Sequence, residues 1–295
     1  MHKFLRAVGF SQIKNRKELT SLITSSIQNS DKRAYVSNSE GILLAEFCRD
    51  YADGIGLAVC GEFDEEDKFI YEYYYPYLIP SAVSTEEDLN VERHAATYSY
   101  AGVCNEPRLG VTLIFYLQNI IPYVKYENED KFPIKGTTLN LSALSVKGQI
   151  LMPIAKTEEE KEAAKKKLNY RNKLINNARR GDETAIESLT LDDMDLYTTL
   201  SKKIRKQDIY SLVDTYFMPY GVECDQYSVL GEVTDTKTVK NSYTGENVHI
   251  MRINCNELEF DVCINEADLL GEPAVGRRFK GNIWMQGFIN FPNAN

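Results

Sequence analysis

Tryptophan and histidine are scarce in this chain, with one Trp and three His among 295 residues. His2, His94 and His249 lie far apart, and the six cysteines (Cys48, Cys60, Cys104, Cys224, Cys255, Cys263) are just as dispersed, with no Cys-x-x-Cys pair. A zinc site built from closely spaced His and Cys is therefore not visible. The thiols read as free, small, half-buried side chains of an intracellular protein. Long apolar runs are also missing. Val111–Leu117, with Ile120 and Ile121 beyond it, is broken by Gln118, Asn119 and Pro122, well short of the ~18 residues a membrane span requires. The opening Met1-His2-Lys3-Phe4-Leu5-Arg6 carries charge but no apolar stretch of the signal-peptide kind. The expectation is a cytoplasmic protein with no membrane association.

Positive charge is in short supply. The net charge is −9. Residues 1–154 hold 15 basic and 20 acidic side chains, residues 155–227 hold 13 and 14, and residues 228–295 hold 6 and 9. Non-specific nucleic-acid binding runs on phosphate neutralisation by Lys and Arg, so nucleic acid is not the expected partner. Walker A, Rossmann, Gly-x-Ser-x-Gly and His-Glu-x-x-His sequences are absent. Nucleotide hydrolysis, hydride transfer, esterase and zinc-protease chemistry thus have no motif behind them, and no cofactor or metal is indicated. The acids Asp261, Glu266 and Asp268 do not have the spacing of a calcium loop.

The patterns that are present predict an α+β chain in three parts. Residues 1–154 read as a mostly antiparallel sheet with helices. Apolar spacing at Leu19, Leu22, Ile23 and Ile27 predicts a helix over 14–28. Strand-like runs follow at 42–47, 55–63, 69–78, 111–117 and 139–150, with the acidic reversal Asp64-Glu65-Glu66-Asp67 joining the second and third. Residues 155–226 read as a helical connector. Thr157 and Glu160 form a capping box, and the helix stops at Gly181. A short helix follows through Ser188, another starts at Thr190, and one more starts near Gln207. Residues 227–295 alternate polar and apolar over short runs with turn residues between them. That pattern predicts a small antiparallel β-barrel of the OB or SH3 type.

Candidate sites follow from residue types. Strand alternation would put Phe69, Tyr71, Tyr73, Tyr75 and Tyr77 on one face, either as a stacking platform for bases or sugars or as core beneath a helix. The acidic neighbourhood favours core. His94 in Val91-Glu92-Arg93-His94 is a conceivable general base, and Cys104 on a Gly-bearing turn is a conceivable nucleophile. Arg277, Arg278, Lys280 and Trp284 form the basic–aromatic cluster of the expected barrel. Such a cluster holds a phosphate or carboxylate on a barrel rim, or pairs with nearby acids such as Glu266, Asp268 and Glu272.

Three segments carry a resemblance when taken together: Met1 to Phe10, Tyr216 to Tyr227, and the closing Gly276-Arg277-Arg278-Phe279-Lys280-Gly281 through Trp284-Met285-Gln286-Gly287. The chain resembles a family of bacterial proteins of unknown function found chiefly in Clostridia. The resemblance covers essentially the whole chain and implies a bacterial cytoplasmic protein. It implies no activity and no catalytic residues. The expected role is non-catalytic binding of a protein or a small anionic ligand. The alternatives are an enzyme with a scattered site around His94, and single-strand nucleic-acid binding by the barrel rim or the tyrosines.

Overall fold

The structure, a computed structural model, describes residues 1–93, 98–129, 136–154, 158–203 and 213–292. Four strands, β1 (Lys32–Ser37), β2 (Leu43–Ala52), β3 (Ile55–Phe63) and β4 (Phe69–Leu78), form an antiparallel sheet in sequence order. The acidic reversal is the β3–β4 turn. Asp64 accepts hydrogen bonds from the amides of Glu66 and Lys68, and Asp67 takes the left-handed conformation at φ 58°. One helix, α1 (Arg16–Gln28), packs on this sheet. It starts at Arg16 and not at Lys14, because the Asn15 side chain accepts from the Glu18 amide and holds Asn15 as the cap.

A second, ten-stranded sheet draws on the rest of the chain. Its strands are β5 (Leu89–Arg93), β6 (Tyr100–Glu106), β7 (Val111–Leu117), β8 (Thr138–Leu151), β9 (Tyr216–Pro219), β10 (Gln226–Lys240), β11 (Asn247–Cys255), β12 (Leu258–Asn265), β13 (Leu269–Leu270) and β14 (Arg278–Asn290). The strand β14 is central. It pairs antiparallel with β10 on one edge and with β8 on the other, and it meets β7 in parallel at Gln286 and Gly287. β8 also runs parallel to β12 over residues 142–145.

The expected small antiparallel barrel of residues 227–295 is therefore overturned. β10, β11, β12 and β14 do exist close to the expected positions. However, they belong to a large mixed sheet that takes β8 from the N-terminal segment and continues from β14 into β7, β6 and β5. The physical reason is that alternation reports which face of a strand is apolar and says nothing about its distant partner.

Close packing fixes the strand crossings. Phe115 lies across two glycines, and a Cβ on Gly102 or Gly287 would come within 2.0 or 2.3 Å of its ring. One core packs on the large sheet, with Leu141, Val229, Met251, Val262, Phe279 and Met285 all buried. A helix α2 (Ile120–Asn128), unforeseen in the sequence because of Pro122, is anchored in this core through Ile121 and Val124. The second core joins the two sheets. Leu57 and Tyr75 of the small sheet share it with Leu144, Ile250 and Trp284 of the large one. A 3-10 turn at Lys3–Val8 wedges into the same core, with the Phe4 ring stacked on Trp284 at 5.4 Å.

The helices α3 (Glu158–Arg179) and α4 (Glu183–Lys203) form a hairpin. Gly181 takes φ 89° at the turn. Asp182 caps α4 through the Ala185 amide and the Thr184 hydroxyl. The expected interruption near Ser188 and Thr190 does not occur. Both hydroxyls fold back onto carbonyls of the preceding turn, Thr184 and Ile186, so these residues stay inside one helix. Thr157 and the helix expected from Gln207 lie outside the described residues. Among the described residues, no helix is long and apolar enough to cross a membrane.

Candidate functional site

The most polar buried region of the molecule lies between the two sheets. The registers Glu46↔Cys60↔Tyr73, Cys48↔Ala58↔Tyr75 and Asp50↔Gly56↔Tyr77 put these nine residues in three rows on one face of the small sheet. Small residues on β3 leave room for the tyrosine rings of β4. A Cβ on Gly56 would meet the Tyr77 hydroxyl at 2.3 Å. The expectation that five aromatics share this face fails at its first two members. β4 carries a bulge, with Tyr73 opposite Cys60 and Tyr71 opposite Gly61, so Glu72 is the extra residue. Tyr73, Tyr75 and Tyr77 face the large sheet. Phe69 falls on the opposite face beside Phe47 and Phe63, and Tyr71 is 42% exposed.

Hydrogen bonds stitch the layer across the sheets. Gln118 donates through Nε2 to Leu78 O, Ser142 Oγ and Gln286 Oε1, while Gln286 Nε2 donates to Pro76 O at 2.8 Å. The Tyr75 hydroxyl lies 2.8 Å from Glu46 Oε1 and 2.8 Å from the Gln118 carbonyl oxygen. A phenol has one hydrogen, and a carbonyl only accepts. The network closes only when Tyr75 donates to Gln118 and a protonated Glu46 donates to Tyr75. The electrostatics agree. Burial outweighs the hydrogen bonds from Tyr75 and Cys60 and pushes the Glu46 carboxyl up to about 7. Burial also pushes the Cys60 thiol and the Tyr75 and Tyr116 phenols well above their ordinary values. Tyr116 Oη is buried beside Tyr73, with no well-formed hydrogen bond among the described residues. The crevice beside Glu46, Cys60 and Tyr73 has room for about 10 Å³, the scale of one water molecule. This layer is built to hold neutral groups in place. Cys60, Tyr75 and Tyr116 are held there in their neutral forms.

The sheets part at one end of this layer and leave an open cleft of about 620 Å³. It is lined by Asp50, Asp53 and Gly54 of the β2–β3 hairpin, Ile79 and Ser81 after β4, and Lys237, Lys240 and Ser242 at the end of β10. Tyr77 donates to Asp50 at 2.5 Å, and Lys237 pairs with Asp53 at 2.7 Å. Ser81 is held by Asp261, which also takes Arg252. Lys240 is exposed and has no ion pair among the described residues. Each wall thus presents fixed polar groups, with one ammonium left uncompensated.

The sites expected from the sequence are scattered over the fold. His94 lies outside the described residues. Cys104 is fully buried on β6, and burial, with Glu106 nearby, pushes its thiol up to about 12. Arg278 is buried and donates to the carbonyls of Met152 and Val213. Arg277 donates to the Glu272 carbonyl, and Trp284 donates to Asp225 at 2.6 Å. Lys280 sits on β14 opposite Leu230 and Gln149, partly buried. Arg277, Arg278, Lys280 and Trp284 do not line the inter-sheet cleft. Sequence reasoning missed Glu46, Gln118, Gln286 and Lys240. Glu46 offered one signal, a lone acid in the apolar run Leu43 to Phe47. Among the described residues, no group of three or more His, Cys, Asp or Glu side chains is placed to hold a metal ion.

Comparison with known proteins bears on the whole chain. No curated protein and no solved structure matches it. The DUF3881 family, described as a domain of unknown function from an E. rectale gene description, matches residues 5–287. That match takes in both sheets, the α3–α4 hairpin and the inter-sheet cleft, and the chain therefore belongs to this bacterial family of unknown function.

Proposed function

We propose that the chain is a non-catalytic binding protein and that the inter-sheet cleft takes a small anionic ligand. The observation that carries this reading is Lys240, an exposed ammonium with no ion pair among the described residues, in a cleft where Lys237 is paired with Asp53 and Asp50 takes the Tyr77 hydroxyl. A carboxylate or phosphate on Lys240 would complete that pairing, while Ser81 and Ser242 offer hydroxyls to the rest of the ligand. A cleft of about 620 Å³ falls in the range of small-molecule sites. The buried titratable groups support the non-catalytic side of the proposal. Cys60, Cys104 and Tyr75 are driven toward their neutral forms, away from nucleophilic roles, and Glu46 is buried with Tyr75 as its partner and does not line the cleft.

The test is isothermal titration of the intact protein with orthophosphate, succinate and citrate. Saturable binding is expected for at least one, weakened about tenfold or more in Lys240→Ala, in keeping with loss of a charge-assisted hydrogen bond. His94→Ala serves as the control and should bind as the parent does. Binding that survives Lys240→Ala but is lost in His94→Ala would move the site and favour the enzyme reading.

A further inference from the structure

The acidic net charge of this chain conceals a basic helix. Residues 163–181 contain seven Lys and Arg and no acid, so everything outside that stretch carries −16 of the net −9. The stretch makes up the C-terminal part of α3, whose opening turns carry Glu158, Glu159, Glu160 and Glu162, and the structure decides which of its residues face out. Residues Lys166, Tyr170, Lys173 and Asn177 follow one another at i, i+4, i+7 and i+11, which is a single stripe on a helix. All four are exposed, Tyr170 at 57%. The opposite face docks on the body. Ile175 reaches the turn at Gly110, and Asn172 faces the groove beside Glu106 and Arg108. Arg171 leans toward α4 and pairs with Asp193 at 2.8 Å. Asp193 of α4 is thus engaged by Arg171, and Glu86, Glu87 and Asp88 line the groove on the docked side, while Glu162 lies at the start of the outer stripe, four residues before Lys166. On that stripe, Lys166 pairs with Glu162 at 2.9 Å. Lys167 and Lys173, with Arg180 at the helix end, are exposed and have no ion pair among the described residues.

We propose that the outer face of α3 binds duplex DNA. A polyanion is the complement of such a stripe, and the stripe's composition selects among polyanions. Lysine is depleted in protein–protein interfaces, whose anchors are aromatic and aliphatic. This stripe has one Tyr and no exposed aliphatic residue among Lys, Arg and Asn. Lysine and arginine pair with phosphates, and Asn169 and Asn177, both exposed, add donors and acceptors of the kind that bond base edges and sugars. The basic part of α3, residues 163–179, is about 25 Å long, and an α-helix fits the major groove of B-form DNA, whereas the deep, narrow major groove of RNA would exclude it. The surface is distinct from the inter-sheet cleft and does not depend on it.

The test is fluorescence anisotropy of a labelled duplex DNA titrated with the intact protein at two salt concentrations. With about four phosphates neutralised, binding is expected to be about a hundredfold weaker at about 200 mM than at about 50 mM salt. The double variant Lys173→Glu with Arg180→Glu is expected to lose at least about tenfold in affinity and to flatten the salt dependence by about two charges. The same change at an exposed site outside α3, Lys14→Glu, should bind as the parent does. Circular dichroism should show both variants folded. No salt-dependent binding overturns the proposal, and so does binding indifferent to the α3 variant. Tighter binding to polyglutamate, to anionic phospholipid vesicles or to RNA duplex than to DNA also overturns it and reassigns the stripe.

Discussion

At Glu46 a single proton decides whether the layer between the sheets is satisfied. The carboxyl is buried, and its one strong partner is a phenol whose hydrogen is committed elsewhere. Burial raises its folded pKa from 4.5 to about 7. For an acid shifted upward, the folded state holds the proton more tightly than the unfolded state does. Its stabilising contribution is therefore complete below about pH 4.5 and is lost as the pH rises through about 7, a change of about 3 kcal/mol. Glu106 acts in the opposite sense. Burial pulls it upward, but its bidentate bond to Arg108 prevails and lowers it, so its contribution is lost only as the pH falls below its ordinary range. His2, which burial lowers to about 4, acts in the opposite direction over part of this range, so urea unfolding at pH 5 and pH 8 should show Glu46→Gln gaining about 2.5 kcal/mol on the parent toward pH 8. The amide keeps the shape and still donates to Tyr75. An unchanged slope in the variant would mean that Glu46 is not the group responsible.

Elements were largely legible because their signals are local. The strands β3, β4 and β7 fall where alternation and flanking turns placed them, at Ile55–Phe63, Phe69–Leu78 and Val111–Leu117. The departures have local causes of another kind. The β4 bulge turns Tyr71 away from Tyr73, and no periodicity of two can anticipate one added residue. Back-bonded hydroxyls kept Ser188 and Thr190 within α4. The β11–β12 reversal was legible, and it carries strain. Asn256 and Glu257 both have positive φ, 53° and 67°, as a tight hairpin turn demands. Asn256 tolerates this and is tied to Thr215 at 2.6 Å. Glu257 contributes its carbonyl to Arg108 and, among the described residues, no side-chain hydrogen bond. Glu257→Gly should therefore raise stability by up to about 1 kcal/mol, as left-handed strain on a non-glycine residue is relieved. Equal or lower unfolding midpoints in the variant would show that the turn is not strained.

For the whole molecule, the binary pattern of the sequence determined that the chain is α+β, where strands such as β3, β4, β7, β8 and β12 run, and that its thiols are dispersed. Tertiary structure decided the partners. A strand's alternation encodes a face and a length, whereas β8 reaches β14 across more than a hundred residues and no residue within β8 names that partner. The same holds at the sites. Lys240 and Asp53, or Glu46 and Gln118, are distant in sequence and acquire a role only through sheet packing. The shared core of the two sheets carries a further expectation. Trp284, the sole tryptophan, sits in that core against Phe4 and Tyr116. Its fluorescence should lose native character in the same denaturant range as the far-ultraviolet circular dichroism of the whole chain, as one cooperative unit requires. Two separated transitions would instead support independently folding segments along the divisions at 154 and 226. Local chemistry wrote the elements into the sequence, but their neighbours were set by burial and hydrogen-bond satisfaction summed over the whole fold, and these exist only once the chain is packed.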